Sequence, residues 1–156
     1  MTSVLIIGGG GMIGQKLASS FSTNDSLTLL DIGFPNKNQS NARKIIGSVG
    51  DPEIIENSLN DLPEVIYYLA SVVSGEAEAD FSKGWDVNIH AFWAFLSLVK
   101  KLNEKSQGQY KPKIIFTSSI AVFGSPFPDQ IPDDFITAPR TSYGAVSYTH
   151  LRAHET

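Results

Sequence analysis

Five glycines fall within seven residues near the N-terminus, and their spacing is the first feature that could carry chemistry. The run Gly8–Gly14 fits G-x-G-x-x-G when it is read from Gly9 and G-x-x-G-x-x-G when it is read from Gly8. Either pattern supplies one glycine for a tight turn, one for the approach of a pyrophosphate and one for packing of a helix on a sheet. A Walker A loop is excluded because Lys16 does not directly follow Gly14.

The segments around the glycines match what a dinucleotide-binding loop requires. Ser3–Ile7 is typical of a buried parallel strand, and Met12–Phe21 has apolar residues at helical spacing, so that a helix N-terminus would face the phosphates. Asp31 closes the next apolar run, 23 residues after Gly8. An acid at this place accepts hydrogen bonds from a ribose 2′-OH and repels a 2′-phosphate. Since Ile32–Pro35 contains no arginine, the sequence predicts NAD rather than NADP.

The remaining apolar segments predict how these residues are positioned. Strands alternating with helices indicate an α/β fold, a Rossmann-type doubly wound parallel sheet of order 3-2-1-4-5, which ends here before the last strands of such a sheet. A proline-rich loop is expected at Pro126–Pro139. The further strands are predicted at Leu27–Leu30, Lys44–Val49, Val65–Ala70 and Lys113–Phe116, and the helices at Pro52–Leu59 and Phe81–Leu102.

The composition narrows the class of protein. A chain of 156 residues, with 42% hydrophobic and 18% charged residues, can form one globular domain. The net charge of −4 gives no reason to expect nucleic acid or an anionic membrane as a partner. There is no cysteine, no basic signal-peptide start and no apolar run near the ~18 residues that a membrane span needs. We therefore expect a cytoplasmic protein that binds small molecules.

Hydroxyl-bearing residues in the second half complete a recognisable pattern. The strand Lys113–Phe116 opens into Thr117-Ser118-Ser119, and Thr141-Ser142-Tyr143-Gly144 follows later. Taken alone, such serines are usually turn residues and such a tyrosine usually packs. Together with the glycine run, they resemble the extended short-chain dehydrogenases, the NAD-dependent epimerase/dehydratase family. The matching pieces run in family order from residue 3 to residue 144: Gly8–Gly14, Asp31, Gly50-Asp51, Leu69-Ala70-Ser71, Val87-Asn88, Phe116–Gly124 and Ser142-Tyr143-Gly144.

The resemblance implies a role for each matching residue. Ser119 would polarise a substrate oxygen, and Tyr143 would be the catalytic acid/base. Asp51 would lie near the adenine, and Asn88 would orient its helix and a water chain behind the site. No metal is expected. The cofactor contacts implied are Gly8, Gly11, Met12, Ile13, Gly14, Asp31, Asp51, Leu69, Ala70, Ser71, Asn88 and Tyr143.

Within this family, Ser71–Phe81 together with Val87-Asn88 is most similar to the D-erythronate dehydrogenase-like members. The implied reaction is oxidation of a secondary alcohol on a sugar acid, with hydride transfer to NAD. A nucleotide-sugar epimerase or dehydratase uses the same first half and stays an alternative. Because family members often dimerise through the long helix and the tyrosine helix, a homodimer of the longer protein is also an open expectation.

The resemblance ends shortly after the tyrosine. The family motif is Tyr-x-x-x-Lys, but Ser147 stands four residues after Tyr143. The tail 145–156 is similar to adapter-derived peptides at the ends of unrelated translations. We therefore expect an incomplete NAD-binding domain over 1–144, followed by a non-native tail over 145–156. We expect this fragment to be inactive by itself. His150 and His154 lie four residues apart, but no third ligand accompanies them. A non-catalytic NAD-binding module is the alternative that Ser147 favours.

Overall fold

Five parallel strands form a single sheet in the computed structural model, which describes residues 1–35 and 41–152. The predicted order is confirmed, since the strands lie in the order β3-β2-β1-β4-β5. At its carboxyl end β1 pairs with neighbours on both sides, so the order reverses there and a crevice for a ligand is expected. The strands are β1 (Ser3–Ile7), β2 (Ser26–Asp31), β3 (Arg43–Ile46), β4 (Val65–Tyr68) and β5 (Lys113–Phe116).

The chain divides into two units. The first contains the sheet and comprises Met1–Ser71 and His90–Thr117; the second comprises Val72–Ile89 and the described part of Ser118–Thr156. The helices of the first unit are α1 (Met12–Ala18), α2 (Pro52–Ser58) and α5 (Ala91–Lys105). Those of the second are α3 (Ser74–Ala79), α4 (Phe81–Trp85), a 3-10 turn (Ile120–Val122) and α6 (Ser142–Arg152).

The core of the first unit explains why its strands are so apolar. Leu5, Ile6 and Ile7 of β1 are completely buried, as expected for a central parallel strand covered on both faces. Next to β1, the ring of Tyr68 lies 4.7 Å from that of Phe92 and 5.3 Å from that of Phe95. The aromatic residues of α5 therefore hold this helix against β4.

Four predicted elements end earlier than the sequence pattern indicated. The strand predicted over Val65–Ala70 ends at Tyr68, and the helix predicted over Pro52–Leu59 ends at Ser58. The other two end early for a visible local reason. The helix predicted to reach Phe21 ends at Ala18, where the hydroxyls of Ser19 and Ser20 donate to backbone carbonyls of the last turn. The strand predicted to reach Val49 ends earlier because its partner β2 ends at the pair Asp31–Ile46.

The long helix predicted over Phe81–Leu102 is interrupted. A π-helical turn at Asp86–His90 separates α4 from α5, and α5 continues to Lys105. The sequence analysis also assigned no structure to Ser74–Ala79, which is helical. The residues of 145–156 that are described continue α6 as far as Arg152. The predicted boundary between domain and tail at residue 144 stays a prediction.

Among the residues that the structure describes, no helix is both long enough and apolar enough to cross a bilayer. The same residues contain no group of three potential metal ligands. His154 and the side chain of His150, which the sequence analysis considered as metal ligands, lie outside the described part.

Candidate functional site

Gly8 and Gly14 are among the loop glycines that the protein backbone itself requires. Gly8 has a φ of 87°, which side-chain-bearing residues rarely adopt, and it makes the turn away from β1. A Cβ atom on Gly14 would lie 2.3 Å from the carbonyl oxygen of Gly8, so α1 packs on the loop only because Gly14 has no side chain. These are the turn and packing positions of G-x-x-G-x-x-G.

Gly11 differs because the protein does not need a glycine there. A Cβ atom on Gly11 would meet, among the described residues, only the carbonyl oxygen of Gly8 at 3.5 Å, an ordinary contact. The residue has a φ of −71°, and it is exposed together with the following Met12 and Ile13. This open space lies at the one position that the pattern reserves for the approach of a phosphate.

Asp31 is joined to the glycine loop through its carboxylate. Oδ2 accepts a hydrogen bond of 2.8 Å from the N–H of Gly10, and Oδ1 accepts one of 3.3 Å from the N–H of Gly33. The side chain is half-buried at the end of β2. An acid fixed beside the loop in this way is placed to receive the hydroxyls of a ribose.

The segment after β4 lies against the same loop. A Cβ atom on Gly8 would come within 2.7 Å of the backbone nitrogen of Ala70 and 2.8 Å of the carbonyl carbon of Leu69. Leu69 also donates its N–H to the carbonyl oxygen of Ile7 at 2.8 Å. The structure thus brings Leu69 and Ala70 to the loop, while Ser71 is exposed at the end of the first unit.

Asp51 has a structural task that the sequence analysis did not foresee. Its carboxylate caps α2 by accepting the N–H of Glu53 at 3.0 Å, and Pro52 occupies the first helical position. The side chain is exposed. Its expected place near an adenine therefore stays a prediction.

In the second unit, Ser119 begins the 3-10 turn. Its Oγ accepts a hydrogen bond of 3.1 Å from the N–H of Ala121, and the side chain is half-buried. A hydroxyl that accepts in this way keeps its own proton available for donation. Ser119 can therefore donate a hydrogen bond to a substrate oxygen.

Tyr143 lies in the first turn of α6, which packs closely on that 3-10 turn. A Cβ atom on Gly144 would lie 2.2 Å from the carbonyl oxygen of Ala121, so the glycine after the tyrosine permits the close contact. Ala121 is also the residue that donates to Ser119. The structure thus brings the two predicted catalytic residues onto adjoining elements of one unit.

Glu78 is a residue of this region that the sequence analysis missed. Its Oε1 accepts the N–H of Tyr143 at 3.0 Å and the hydroxyl of Ser142 at 2.8 Å, although these residues are 65 and 64 positions away. The Tyr143 N–H is the largest cause that lowers the pKa of this exposed carboxyl below its ordinary value of 4.5. No local motif announces such a contact, because the partner lies in a distant segment.

Asn88 is buried rather than solvated, and it lies within the π-helical turn. Its side-chain amide accepts the N–H of Val72 at 2.8 Å and donates to the carbonyl oxygen of Val72 at 2.9 Å. Asn88 therefore fixes the backbone that directly follows Ser71. Its predicted role in orienting cofactor and water stays a prediction.

Ser147 occupies the position of the family's lysine. It is buried in α6, and its hydroxyl donates to the carbonyl oxygen of Tyr143 at 3.1 Å. The side chain thus satisfies the helix backbone and carries no charge. The lysine's role in lowering the pKa of the tyrosine and holding the nicotinamide ribose, which the family resemblance implies, has no substitute at this position.

The sheet order, the glycine turn at the reversal of that order and the acid at the end of β2 define a dinucleotide-binding α/β protein of the Rossmann type. The chain belongs to the NAD dependent epimerase/dehydratase family, whose model matches residues 4–152. NAD is accordingly the cofactor of its family. The residues present fit this cofactor, since Gly11 leaves open space on the glycine loop and Asp31 holds carboxylate oxygens beside it.

Two curated proteins and a solved structure are similar to this chain. The chain is 34% identical over 155 residues to a D-erythronate dehydrogenase of Cupriavidus necator, covering 91% of this chain and 46% of the relative. A D-erythronate dehydrogenase of Haemophilus influenzae is 30% identical over 148 residues, covering 90% and 45%. The crystal structure of a nucleoside-diphosphate-sugar epimerase from Agrobacterium tumefaciens is 36% identical, with a TM-score of 0.82 over 95% of this chain and 46% of that one. The chain thus spans about half the length of the curated relatives it matches.

Proposed function

We propose that this chain is the NAD-binding part of a dehydrogenase that oxidises a secondary alcohol of a small sugar acid such as D-erythronate. The observation that carries the proposal is the open position at Gly11 between glycines that the backbone requires. The substrate class rests on two relatives, both named D-erythronate dehydrogenase.

Different residues of the first unit would hold different parts of the cofactor. Gly11, Met12 and Ile13 would face the pyrophosphate, and Asp31 would accept the adenosine ribose hydroxyls. Asp51 would lie near the adenine. Leu69, Ala70 and Ser71 would line the cofactor after β4, and NAD would supply a hydride acceptor at C4 of its nicotinamide.

Two residues of the second unit would act on the substrate. Ser119 would donate its hydroxyl proton in a hydrogen bond to the reacting oxygen, and Tyr143 would take the proton from the substrate hydroxyl. An ordinary tyrosine, with a pKa near ~10, is phenolate in only about one molecule in a thousand at pH 7. A nearby cation is what the family uses to change this proportion. Since Ser147 supplies none, the chain as it stands would bind cofactor without turning over substrate.

A nucleotide-sugar epimerase is the second candidate, favoured by the 36% identity to the Agrobacterium structure. The two activities differ in what accumulates. A dehydrogenase releases NADH with its product, whereas an epimerase returns the hydride to the sugar and leaves no net NADH.

The experiment combines a gene sequence with an assay. The source gene is read through codon 147 and beyond, and the protein it encodes is incubated with NAD and either aldonic acids or nucleotide sugars. A lysine at codon 147 and net NADH from a four-carbon aldonic acid are expected. Turnover of nucleotide sugars without net NADH would favour the epimerase, and a true serine with no turnover would favour a non-catalytic NAD-binding module.

A further inference from the structure

Gln15, which the sequence analysis did not assign to the site, holds one peptide group of the glycine loop. Nε2 of Gln15, on α1, donates a hydrogen bond of 2.7 Å to the carbonyl oxygen of Gly9. The N–H of the same peptide group belongs to Gly10, and it donates to Oδ2 of Asp31 at 2.8 Å. The Gly9–Gly10 peptide is therefore held at both ends, by a helix on one side and by a strand end on the other.

The position of this peptide matters because Gly11 follows it directly. The N–H groups of Gly8 and Gly9 both donate to the carbonyl oxygen of Leu30, at 2.8 and 3.0 Å. With Gly10 bonded to Asp31, the backbone donors of the loop that precede Gly11 are all engaged within the protein. The N–H of Gly11 itself donates to the carbonyl oxygen of Gly8 at 3.3 Å, so further donors for a phosphate begin at the start of α1, shortly after the peptide group that Gln15 and Asp31 hold.

Four consecutive glycines would otherwise be the most mobile segment of the site. Glycine loses more conformational freedom than any other residue when it becomes ordered, and ordering a loop during binding lowers affinity. A hydrogen bond that orders the loop beforehand removes part of this cost. Gly10 is closely packed, since a Cβ atom there would lie 2.0 Å from the carbonyl oxygen of Gly33. This close packing restricts Gly10, but it does not by itself fix the orientation of the Gly9–Gly10 peptide.

We infer that Gln15 is a cofactor-positioning residue, which orients the Gly9–Gly10 peptide so that the backbone at Gly11 is ready for a pyrophosphate. The inference rests on the proposed NAD binding and adds a residue that the glycine pattern does not contain. It also gives Asp31 a second role, because its Oδ2 accepts the N–H of the peptide group whose carbonyl oxygen Gln15 holds. These two hydrogen bonds form a clamp on the Gly9–Gly10 peptide. The ribose-reading acid and the phosphate-binding loop are thereby coupled.

The test substitutes Gln15 by methionine, which has a similar length and no hydrogen-bond donor. Lys16→Met is the matched control, since Lys16 is the next residue of α1 and is exposed. Two probes are titrated into each protein by calorimetry: ADP-ribose, which carries the pyrophosphate, and AMP, which does not. Losing one such hydrogen bond should raise the Kd of ADP-ribose by about three- to tenfold in Gln15→Met, with AMP within twofold of the wild type and Lys16→Met unchanged.

Hydrogen exchange at the Gly10 N–H provides a readout that needs no ligand. In Gln15→Met this amide should exchange about tenfold faster, because the peptide is then held from one side only. Equal weakening of both probes, in parallel with a lower melting temperature, would show a merely structural role and overturn the inference. Unchanged ADP-ribose affinity and unchanged exchange would overturn it as well. If the wild type bound neither probe, the proposed function would fail, and exchange at Gly10 would still decide whether the clamp exists.

Discussion

The glycine loop and the region around Tyr143 are built in different ways. In the loop, Gly8, Gly10 and Gly14 have backbone atoms so close that a side chain would not fit, so these requirements are visible in the sequence as glycine. Around Tyr143, the helix is held by Glu78 from 65 residues away, and Gly144 permits its contact with the turn at Ser119. A glycine-rich loop is therefore recognisable as a sequence motif, whereas the support around Tyr143 depends on tertiary contacts.

The two regions also differ in how complete they are. In the loop, backbone contacts exclude side chains at Gly8 and Gly14, Gly11 leaves open space, and Asp31 accepts the N–H of Gly10. In the second region, Ser147 replaces the expected lysine and uses its hydroxyl on the helix backbone. Variants that affect the glycine loop and variants that affect the region around Tyr143 should therefore have different consequences.

The largest expected effect concerns catalysis. We predict no measurable NADH formation when this chain of 156 residues is incubated with NAD and a panel of aldonic acids, because Ser147 provides no cation beside Tyr143. The measurement is NADH absorbance over time, with a full-length relative as the positive control. Robust turnover would show that the lysine, and the part of the relatives that this chain does not span, are dispensable.

The next effect separates two glycines of one loop. Gly14→Ala places a Cβ atom 2.3 Å from a backbone oxygen, so it should lower the free energy of unfolding by about 1–3 kcal/mol. Gly11→Ala meets only an ordinary contact and should change it by less than about 0.5 kcal/mol. Urea denaturation of both variants measures the difference. Equal destabilisation would mean that Gly11 is a structural glycine like Gly14.

A smaller effect is expected at the start of α6. Glu78→Ala removes the acceptor of the Tyr143 N–H, so this amide should exchange about tenfold faster. Glu78→Gln keeps an acceptor oxygen and should retain most of the protection. Glu76→Ala is the control, because Glu76 lies on the same helix but pairs with Lys83.

The same contact should depend on pH in one direction. Since the pKa of Glu78 is lower in the folded state than its ordinary value of 4.5, its contribution is fully present above that value and is lost as the pH falls through the folded pKa. Protection of the Tyr143 amide should therefore persist at neutral pH and disappear only in acid. Loss of protection at about pH 6 to 7 would contradict the conclusion that the Glu78 carboxylate holds the Tyr143 N–H.

The smallest effect concerns the core beside β4. The hydroxyl of Tyr68 is buried and finds no hydrogen-bond partner among the described residues, and burial raises its pKa. Tyr68→Phe should therefore raise the free energy of unfolding by about 1 kcal/mol. Tyr110→Phe is the matched control, because the Tyr110 hydroxyl donates to the carbonyl oxygen of Pro63 at 3.2 Å and its loss should destabilise by a similar amount. Destabilisation by both substitutions would reveal a partner for Tyr68.

The sequence predicted the features that depend on local pattern. The strands Ser3–Ile7 and Lys113–Phe116 were located at their observed bounds, and the sheet order followed from the handedness of crossovers. Hydrophobic spacing could not show the π-helical turn at Asp86–His90, because one inserted residue barely disturbs a helical pattern.

The sequence also did not reveal the hydrogen bond from Gln15 to Gly9 or the one from Tyr143 to Glu78. Glutamine and glutamate are common on exposed helix faces, so neither residue type signals a partner. Only the fold brings Gln15 to Gly9 and Glu78 to Tyr143.

Calorimetric titration of NAD into the wild type and Gly11→Val tests whether the space at Gly11 accommodates the phosphates of NAD. We expect 1:1 binding to the wild type, weaker binding of NADP, and loss of NAD binding in Gly11→Val while the protein stays folded. Asp31→Ala should weaken NAD and reduce the discrimination against NADP. Equal affinity of Gly11→Val and the wild type for NAD would contradict this role for the space at Gly11.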